Sequence, residues 1–199
     1  HTQTGGATLT AQQPLNNVVR VAVQSMAAVM GGTQSLHTNG YDEALGLPTE
    51  EAARIALRTQ QIIGYESGVT DTPDPLAGSY YVESLTNEVE RLAWEYIKRI
   101  DNMGGAVDAI ESGFQMEEIE EAAYAYTKSI DDESRTIVGV NKFTSDESTD
   151  VPVLKIDAER ERNQVERLKK FKAARDASLV AARLDDVRAA ARGSDNLLY

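Results

Sequence analysis

Residues 33–45 read TQSLHTNGYDEAL, and this short stretch decides the predicted fold. A helix is predicted before it at residues 17–30, with asparagine at its cap and two glycines at its end. A Pro-Thr pair after the stretch predicts the start of a second helix, with two glutamates in its first turn. Between the helices we expect a short strand at residues 33–38, and a β-compatible segment lies at residues 3–9. The order strand, helix, strand, helix is typical of parallel α/β proteins.

From residue 71 onward the sequence changes character, and helices dominate. A Pro- and Gly-rich loop begins this half, and apolar residues then recur at helical spacing. Helices are predicted at residues 85–100, 106–112, 116–129, 157–174 and 178–191. Two short strands are predicted at residues 136–141 and 151–156, on either side of an acidic loop that we expect to be solvated.

Composition excludes several classes of function. The formal net charge of −12 argues against nucleic acid as a partner, because phosphate binding needs clustered Lys and Arg. The chain has no cysteine, so it offers neither a disulfide framework nor a thiolate metal site. No apolar run is long enough to span a bilayer, so we expect no membrane partner. His37 has no second ligand residue at metal-binding spacing, so we predict no metal site.

The two predicted β/α units do not form a stable sheet alone, because both strand edges and several helix faces would be uncovered. The chain also starts at His1 without an initiator Met and stops on an apolar run. We therefore expect this chain to be a piece of a longer polypeptide.

The strand predicted at residues 33–38 is unusually polar. Successive strand residues point to opposite faces, so Thr33, Ser35 and His37 share one face, and Gln34, Leu36 and Thr38 share the other. An ordinary eight-stranded barrel fills its lumen with branched aliphatic side chains. Here one face carries only small or polar groups. The pattern predicts a lumen with room and hydrogen-bonding groups for a ligand, and Leu36 would face the outer helices.

Polar residues also follow the two predicted strands. Asn39 and Glu43 lie just beyond the second strand, and Gln3 and Gly6 occupy the matching place in the first unit. Parallel α/β proteins bind ligands at the carboxyl ends of their strands. Amide and carboxylate groups beside a glycine suit a neutral polyol such as a ribose. An alternative stays open on these residues alone, because short polar strands also form sheet edges and Asn-Gly is a common turn signal.

Several segments resemble a known family along the whole chain. They are HTQTGG, TQSLHTN, DEALGLPT, DPLAGSYYVESLT and IVGVNKF, of which TQSLHTN with DEALGLPT is the most specific. They resemble the large (catalytic) subunit of the adenosylcobalamin (vitamin B12)-dependent methylmalonyl-CoA mutases, which are acyl-CoA mutases. The resemblance implies an α/β fold, the C-terminal part of a TIM (β/α)8 barrel, followed by a mostly helical extension with two short strands. Residues 1–70 would be the last two β/α units of the acyl-CoA-binding barrel, and residues 71–199 the extension or linker region.

The resemblance also assigns roles to individual residues. The cofactor-binding positions for adenosylcobalamin would be Gln3, Gly6, Asn39, Glu43, Gly46 and Leu47, with Asn39 and Glu43 on the adenosyl ribose. Ser35, and less directly Gln34, would bind the acyl-CoA substrate. The chain departs from the family at two places. Gly46 stands where the family often has Ala, and Gly6-Ala7 stands where it often has Gly-Trp. The cobalt ligand, the substrate-reading arginine and the histidine near the thioester lie outside this chain, so no catalytic residue is expected within it.

The implied activity is that of an isomerase (mutase), which interconverts (R)-methylmalonyl-CoA and succinyl-CoA by a radical rearrangement of the carbon skeleton. The implied partners are the acyl-CoA, a cobalamin-binding domain or small subunit, and further subunits of an oligomer, in a cytoplasmic protein. Two alternatives remain. The chain could belong to a sister acyl-CoA mutase of the isobutyryl-CoA type, or its helical half could serve mainly as a non-catalytic subunit-assembly module. By itself, the 199-residue chain is expected to be inactive.

Overall fold

The structure of the chain is a computed structural model, which describes residues 1–146 and 151–198. In this part of the chain, two strands and seven α-helices occur. The strands are β1 (Thr2–Gln3) and β2 (Leu36–His37), and the helices are α1 (Asn16–Met30), α2 (Glu50–Glu66), α3 (Tyr80–Asn102), α4 (Ala106–Glu111), α5 (Phe114–Asp131), α6 (Ala158–Ala174) and α7 (Ala177–Arg192). The chain divides into two compact units, His1–Leu154 and Lys155–Tyr199.

The two strands form a small parallel sheet. Thr2 is in register with Leu36, and Gln3 with His37. Backbone hydrogen bonds extend the pairing on both sides, from Thr2 N to Ser35 O at 2.9 Å and from Thr4 N to His37 O at 3.0 Å. β2 is shorter than predicted. The β-compatible segment predicted at residues 3–9 was largely wrong, because β1 overlaps it only at Gln3 and Gly6–Thr8 forms a 3-10 helix. The order of the two strands and their parallel direction are those that the sequence indicates.

Helices α1 and α2 pack against each other and supply most of the core. Their buried residues recur at helical spacing: Asn17, Val21 and Ser25 on α1, and Ala52, Ala56, Thr59 and Ile63 on α2. Small residues dominate these two stripes, which lets the helix backbones approach. The predicted starts were right for α2, where Thr49 accepts a hydrogen bond from Ala52 N as the N-cap. For α1, the predicted start differs from the observed one by a single residue, but the predicted asparagine cap was wrong, because Leu15 is the N-cap and Asn17 is turned into the core.

The strand alternation predicted around β2 is confirmed for residues 35–38, whereas Gln34, which was predicted on the same side as Leu36 and Thr38, is exposed. Thr38 is buried against α2, where its hydroxyl donates to Ala56 O at 2.8 Å. On the same side, Gln60 Nε2 donates to Leu36 O and to Thr38 Oγ1, both at 3.0 Å. Ser35 and His37 are exposed. The polar side of β2 is therefore the open side, and its apolar side covers a helix.

The helices after residue 71 are also confirmed, with ends that differ by a few residues. Within the first unit, Phe114 of α5 and Ala109 of α4 are buried, while α3 buries none of its residues. The rings of Phe114 and Tyr96 lie 6.4 Å apart, and the Arg99 guanidinium lies 4.4 Å from the centre of the Phe114 ring. A small cluster of aromatic and cationic groups therefore joins α3 to α5.

The two short strands predicted in the extension are wrong. Residues 136–141 form turns, with a single isolated bridge between Val138 and Lys142. Asn141 closes these turns, since its Oδ1 accepts from Ile137 N at 2.8 Å and its Nδ2 donates to Ile130 O at 2.9 Å. Residues 151–156 have no regular secondary structure. Of the predicted acidic loop, residues 147–150 lie outside the described residues.

The second unit consists of α6 and α7. Both helices begin at an aspartate, since Asp157 accepts from Glu159 N at 2.8 Å and Asp176 accepts from Ser178 N at 2.8 Å. Hydrogen bonds to Ser178 and Leu179 hold the pKa of Asp176 below its usual range. Over residues 1–146 and 151–198, no helix combines the length and the hydropathy needed to cross a membrane.

Candidate functional site

The carboxyl ends of both strands carry polar residues that come together. Gln3 is the last residue of β1, and its Nε2 donates to Asn39 Oδ1 at 3.2 Å. Asn39 follows β2 by two residues and is 2% exposed. Its backbone N–H donates to Thr4 Oγ1 at 3.0 Å. The two segments that follow the strands are therefore joined at Asn39, although 35 positions separate it from Thr4.

Gly6 lies at the point where the side chains of Asn39 and Glu43 converge. A Cβ atom placed on Gly6 would lie 2.5 Å from Glu43 Oε1 and 2.8 Å from Asn39 Nδ2. The two polar atoms therefore lie within about 5.3 Å of each other, the sum of these two distances. Because glycine has no Cβ, the Glu43 carboxylate and the Asn39 amide can both lie close to the backbone at this point. The Glu43 carboxylate, which is an acceptor, and the Asn39 amide nitrogen, which is a donor, therefore both lie against the backbone of Gly6.

One of these atoms has an unmet hydrogen bond. Among the described residues, Asn39 Nδ2 has no partner, although it is buried. Leaving a buried polar group unpaired costs about 1–3 kcal/mol. Such a group in a native site needs an explanation, for which a bound ligand with an acceptor oxygen is one physical candidate.

Asp42 is a further buried polar residue of this loop, and the sequence did not single it out as a site residue. It is 1% exposed, and its Oδ2 accepts from Thr49 N at 2.8 Å and from Thr49 Oγ1 at 3.0 Å. The carboxylate thus sits before the amino end of α2, where the helix dipole favours negative charge. Its Oδ1 has no partner among the described residues. Asp42 ties the loop that carries Asn39 and Glu43 to the cap of α2.

Tyr41 is buried beside these acidic groups. Burial raises the pKa of its hydroxyl, and the charges of Glu51 and Asp42 act in the same direction, against a hydrogen bond with Thr49. The neutral phenol is therefore retained well above neutral pH. Tyr41 belongs to the packing under the loop.

The structure brings together only part of the predicted cofactor-binding set. Gly46 lies further along the loop, and a Cβ on it would meet Val153 Cγ1 at 2.8 Å. The next residue, Leu47, is 51% exposed. Gln3, Gly6, Asn39 and Glu43 form one cluster, whereas Gly46 and Leu47 lie beside it on the surface of the same loop.

The predicted substrate-binding residues lie at the opposite end of β2. Ser35 precedes the strand, and its Oγ is 2.8 Å from His1 Nδ1. Gln34 is exposed and lines a cavity of about 240 Å³ with Ser35 and Gln60. The strand therefore separates Ser35 and Gln34 from Asn39.

Sequence reasoning also missed Asn17, which is 0% exposed in α1 and donates from Nδ2 to Tyr41 O at 2.8 Å. A signal was present, because this polar residue shares a helical stripe with Val21 and Ser25, which face the core. In residues 1–146 and 151–198, no three His, Cys, Asp or Glu side chains lie where they could hold a metal ion.

A parallel β/α unit that gathers polar side chains beyond the carboxyl ends of its strands defines this chain as part of an α/β protein. The family model for methylmalonyl-CoA mutase matches residues 1–199, so the chain belongs to the methylmalonyl-CoA mutase family.

Named relatives agree with this assignment. The chain is 49% identical to methylmalonyl-CoA mutase of Escherichia coli (strain K12) over 199 residues, which are 100% of this chain and 28% of that protein. It is 49% identical to the mitochondrial methylmalonyl-CoA mutase of Homo sapiens and 48% identical to the probable mitochondrial enzyme of Caenorhabditis elegans. Each match covers 100% of this chain and 27% of the relative. The chain therefore spans little more than a quarter of the length of these relatives.

Proposed function

We propose that this chain is part of an isomerase that interconverts (R)-methylmalonyl-CoA and succinyl-CoA, and that it holds the adenosyl end of adenosylcobalamin. One observation carries the proposal: Glu43 Oε1 and the unpaired Asn39 Nδ2 converge on the bare backbone of Gly6. When bound, adenosylcobalamin supplies the radical that starts the rearrangement. The residues of this chain bind and orient it.

The donors and acceptors of the cluster fit a ribose. The Glu43 carboxylate accepts hydrogen bonds from hydroxyl groups, and Asn39 Nδ2 donates to a hydroxyl oxygen. Gln3 holds the other atom of the amide, Asn39 Oδ1, and thereby fixes which way the amide points. Gly6 allows the Glu43 carboxylate and the Asn39 amide to lie side by side against the backbone, where both can face the sugar. The role of these residues is positioning, since the bound sugar must be held in one orientation for the reaction to follow.

The barrel is the architecture that we propose around this cluster. β2 pairs with β1 alone among the described residues. On α1, Val19 and Val23 are 64% and 65% exposed and line a cavity of about 620 Å³ together with Ile137. Two units taken from a larger β/α layer are expected to have uncovered strand edges and an uncovered helix face. In this proposal residues 1–70 are the last two units of a TIM barrel, and residues 71–199 are the extension.

The open side of β2 supports an acyl-CoA substrate. Ser35 and His37 are exposed and small or polar, so they would leave room along a barrel axis instead of filling it. In the same proposal, Ser35 and Gln34 contact the acyl-CoA, while Gly46 and Leu47 contact the corrin. The remaining partners are a cobalamin-binding domain or small subunit and further copies in an oligomer.

The test uses the full-length protein, assayed for adenosylcobalamin binding and for turnover of methylmalonyl-CoA. Glu43→Gln removes the charged acceptor and is expected to weaken adenosylcobalamin binding by about tenfold to a hundredfold, the range for a hydrogen bond to a charged group. Glu50→Gln, in the first turn of α2, is the matched control and is expected to change nothing. The 199-residue chain alone is expected to show no turnover. Equal adenosylcobalamin binding by the two variants would refute the proposed site. Turnover of isobutyryl-CoA in place of methylmalonyl-CoA would favour the sister mutase.

An assembly role for the helical half is a second candidate, and one observation favours it. Helix α3 buries none of its residues, and Leu85, Val89 and Leu92 are all exposed at helical spacing. An apolar stripe of this kind is typical of a face that is covered by other protein.

A further inference from the structure

Asn17 is the most completely buried polar side chain near the candidate site, and it belongs to none of the predicted site residues. It is 0% exposed on the stripe of α1 that faces α2. Burying an amide side chain is unfavourable unless its hydrogen bonds are met. The hydrogen-bond partners of the Asn17 amide therefore indicate the role of this residue.

All four hydrogen-bonding positions of the Asn17 amide are used. Its Oδ1 accepts from Thr10 N at 3.1 Å and from an Arg20 guanidinium nitrogen at 2.7 Å. Its Nδ2 donates to Thr10 O at 2.9 Å and to Tyr41 O at 2.8 Å. An amide has two donor hydrogens and two acceptor lone pairs, so nothing is left over.

These partners belong to the two loops that carry the candidate site. Thr10 lies two residues after the 3-10 helix Gly6–Thr8, in the loop that follows β1. Tyr41 lies between Asn39 and Glu43. A single rigid amide therefore sets the distance between the loop that contains Gly6 and the loop that contains Asn39 and Glu43.

Arg20 extends the same network. Its second guanidinium nitrogen donates to Val138 O at 2.7 Å, across 118 positions of sequence. The other nitrogen also contacts Thr10 Oγ1 at 3.0 Å. The Arg20 side chain, which binds Asn17, is therefore itself held between the loop after β1 and the turns after α5.

We infer that Asn17 is a positioning residue for the adenosyl group: it holds Gly6, Asn39 and Glu43 in register by clamping the two loops together, and this inference rests on the proposed function. It makes no contact with the ligand itself. A displacement of about 1 Å in such a cluster is enough to cost about a hundredfold in the positioned step.

The experiment compares two ligands on the full-length protein. Adenosylcobalamin carries the adenosyl group, and hydroxocobalamin lacks it. Asn17→Asp keeps the size and the acceptor oxygen but loses both donors, so it repels Thr10 O and Tyr41 O. Asn17→Ser is the second variant and is too short to reach either loop. Asn16→Ser is the matched control, because within the described residues the Asn16 amide donates to Gln13 Oε1, at 2.8 Å, and to neither loop of the site.

We expect both Asn17 variants to weaken adenosylcobalamin binding by about tenfold or more relative to hydroxocobalamin, which is the scale of a lost hydrogen bond to a charged group. The control should leave the ratio of the two affinities unchanged. In a protein that also carries Glu43→Gln, the Asn17 substitutions should reduce adenosylcobalamin affinity by a smaller factor than they do alone. The reason is that the Glu43 contact, which they would misplace, is already lost.

Two outcomes overturn the inference by itself. One is an equal loss of both ligands, including a variant that binds neither, because a role in overall folding would act on both. The other is an effect of the Asn17 substitutions on adenosylcobalamin affinity that is equally large with and without Glu43→Gln. If the unsubstituted protein binds the two cobalamins equally well, then the cluster does not hold the adenosyl group, and the proposed function fails together with the inference.

Discussion

Gly6→Ala is the sharpest test of the site geometry. The new methyl group would stand 2.5 Å from Glu43 Oε1 and 2.8 Å from Asn39 Nδ2. Ordinary van der Waals contact begins at 3.4 Å, so the two atoms would have to withdraw by about 0.9 and 0.6 Å, the differences between these distances. The backbone angle of Gly6 is not in the left-handed region, so the clash is the whole effect.

The two side chains respond differently to this clash. Glu43 is exposed, and its carboxylate swings away at little cost. Asn39 is buried and bonded to Gln3, so it moves only by disturbing its neighbours. Overpacking of this kind costs about 1–3 kcal/mol of folding free energy. We expect a larger effect on binding, of about a hundredfold, because two hydrogen bonds to the ribose are lost together and one of them involves a charged group.

The assay is adenosylcobalamin binding to the full-length protein, followed by its absorption spectrum, with thermal unfolding measured in parallel. Gly5→Ala is the neighbouring control, because a Cβ there meets Gln24 Oε1 at 3.5 Å and Thr8 at 3.6 Å, which are ordinary contacts. We expect a strong loss of affinity for Gly6→Ala and none for Gly5→Ala. Equal affinities for the two variants would show that the positions of Glu43 and Asn39 over Gly6 do not matter to the ligand.

Two further predictions concern the helical half. The lowered pKa of Asp176 means that its cap stabilises α7 above about pH 4, the ordinary range of an aspartate, and that this stability disappears as pH falls through the lower folded-state pKa. Asp176→Asn keeps the capping oxygen and should remove this pH dependence, as measured by exchange of the Ser178 amide; a persisting dependence would assign it elsewhere. Val89→Glu on α3 should weaken subunit association of the full-length protein by about tenfold or more in sedimentation, whereas Glu90→Gln should not, since a charge in an apolar interface is costly. Unchanged association would remove the support for an assembly face.

The helical content of the chain was predictable because its causes are local. The apolar stripes of α1 and α2 repeat every three to four residues, and Thr49 and Asp157 mark the starts of α2 and α6. Such signals act within one turn of helix and need no tertiary context. The same holds for β2, where alternation placed Thr38 toward α2 and left His37 open.

Short apolar runs outside the helices were misleading. TIVGVN is rich in β-branched residues, yet residues 136–141 form turns. The Asn141 side chain supplies hydrogen bonds there that a neighbouring strand would otherwise have to supply. β propensity describes how well a residue fits a sheet, and it decides nothing where no partner strand is available.

Local sequence thus determined the helices, the caps of α2 and α6 and the sidedness of β2, together with the residue types at the ends of the strands. Only the tertiary structure decided that Gly6 meets Asn39 and Glu43, and that Asn17 clamps the two loops instead of capping its helix. The physical reason is distance along the chain. Contacts between residues more than twenty positions apart depend on strand register and helix packing, which no local pattern encodes.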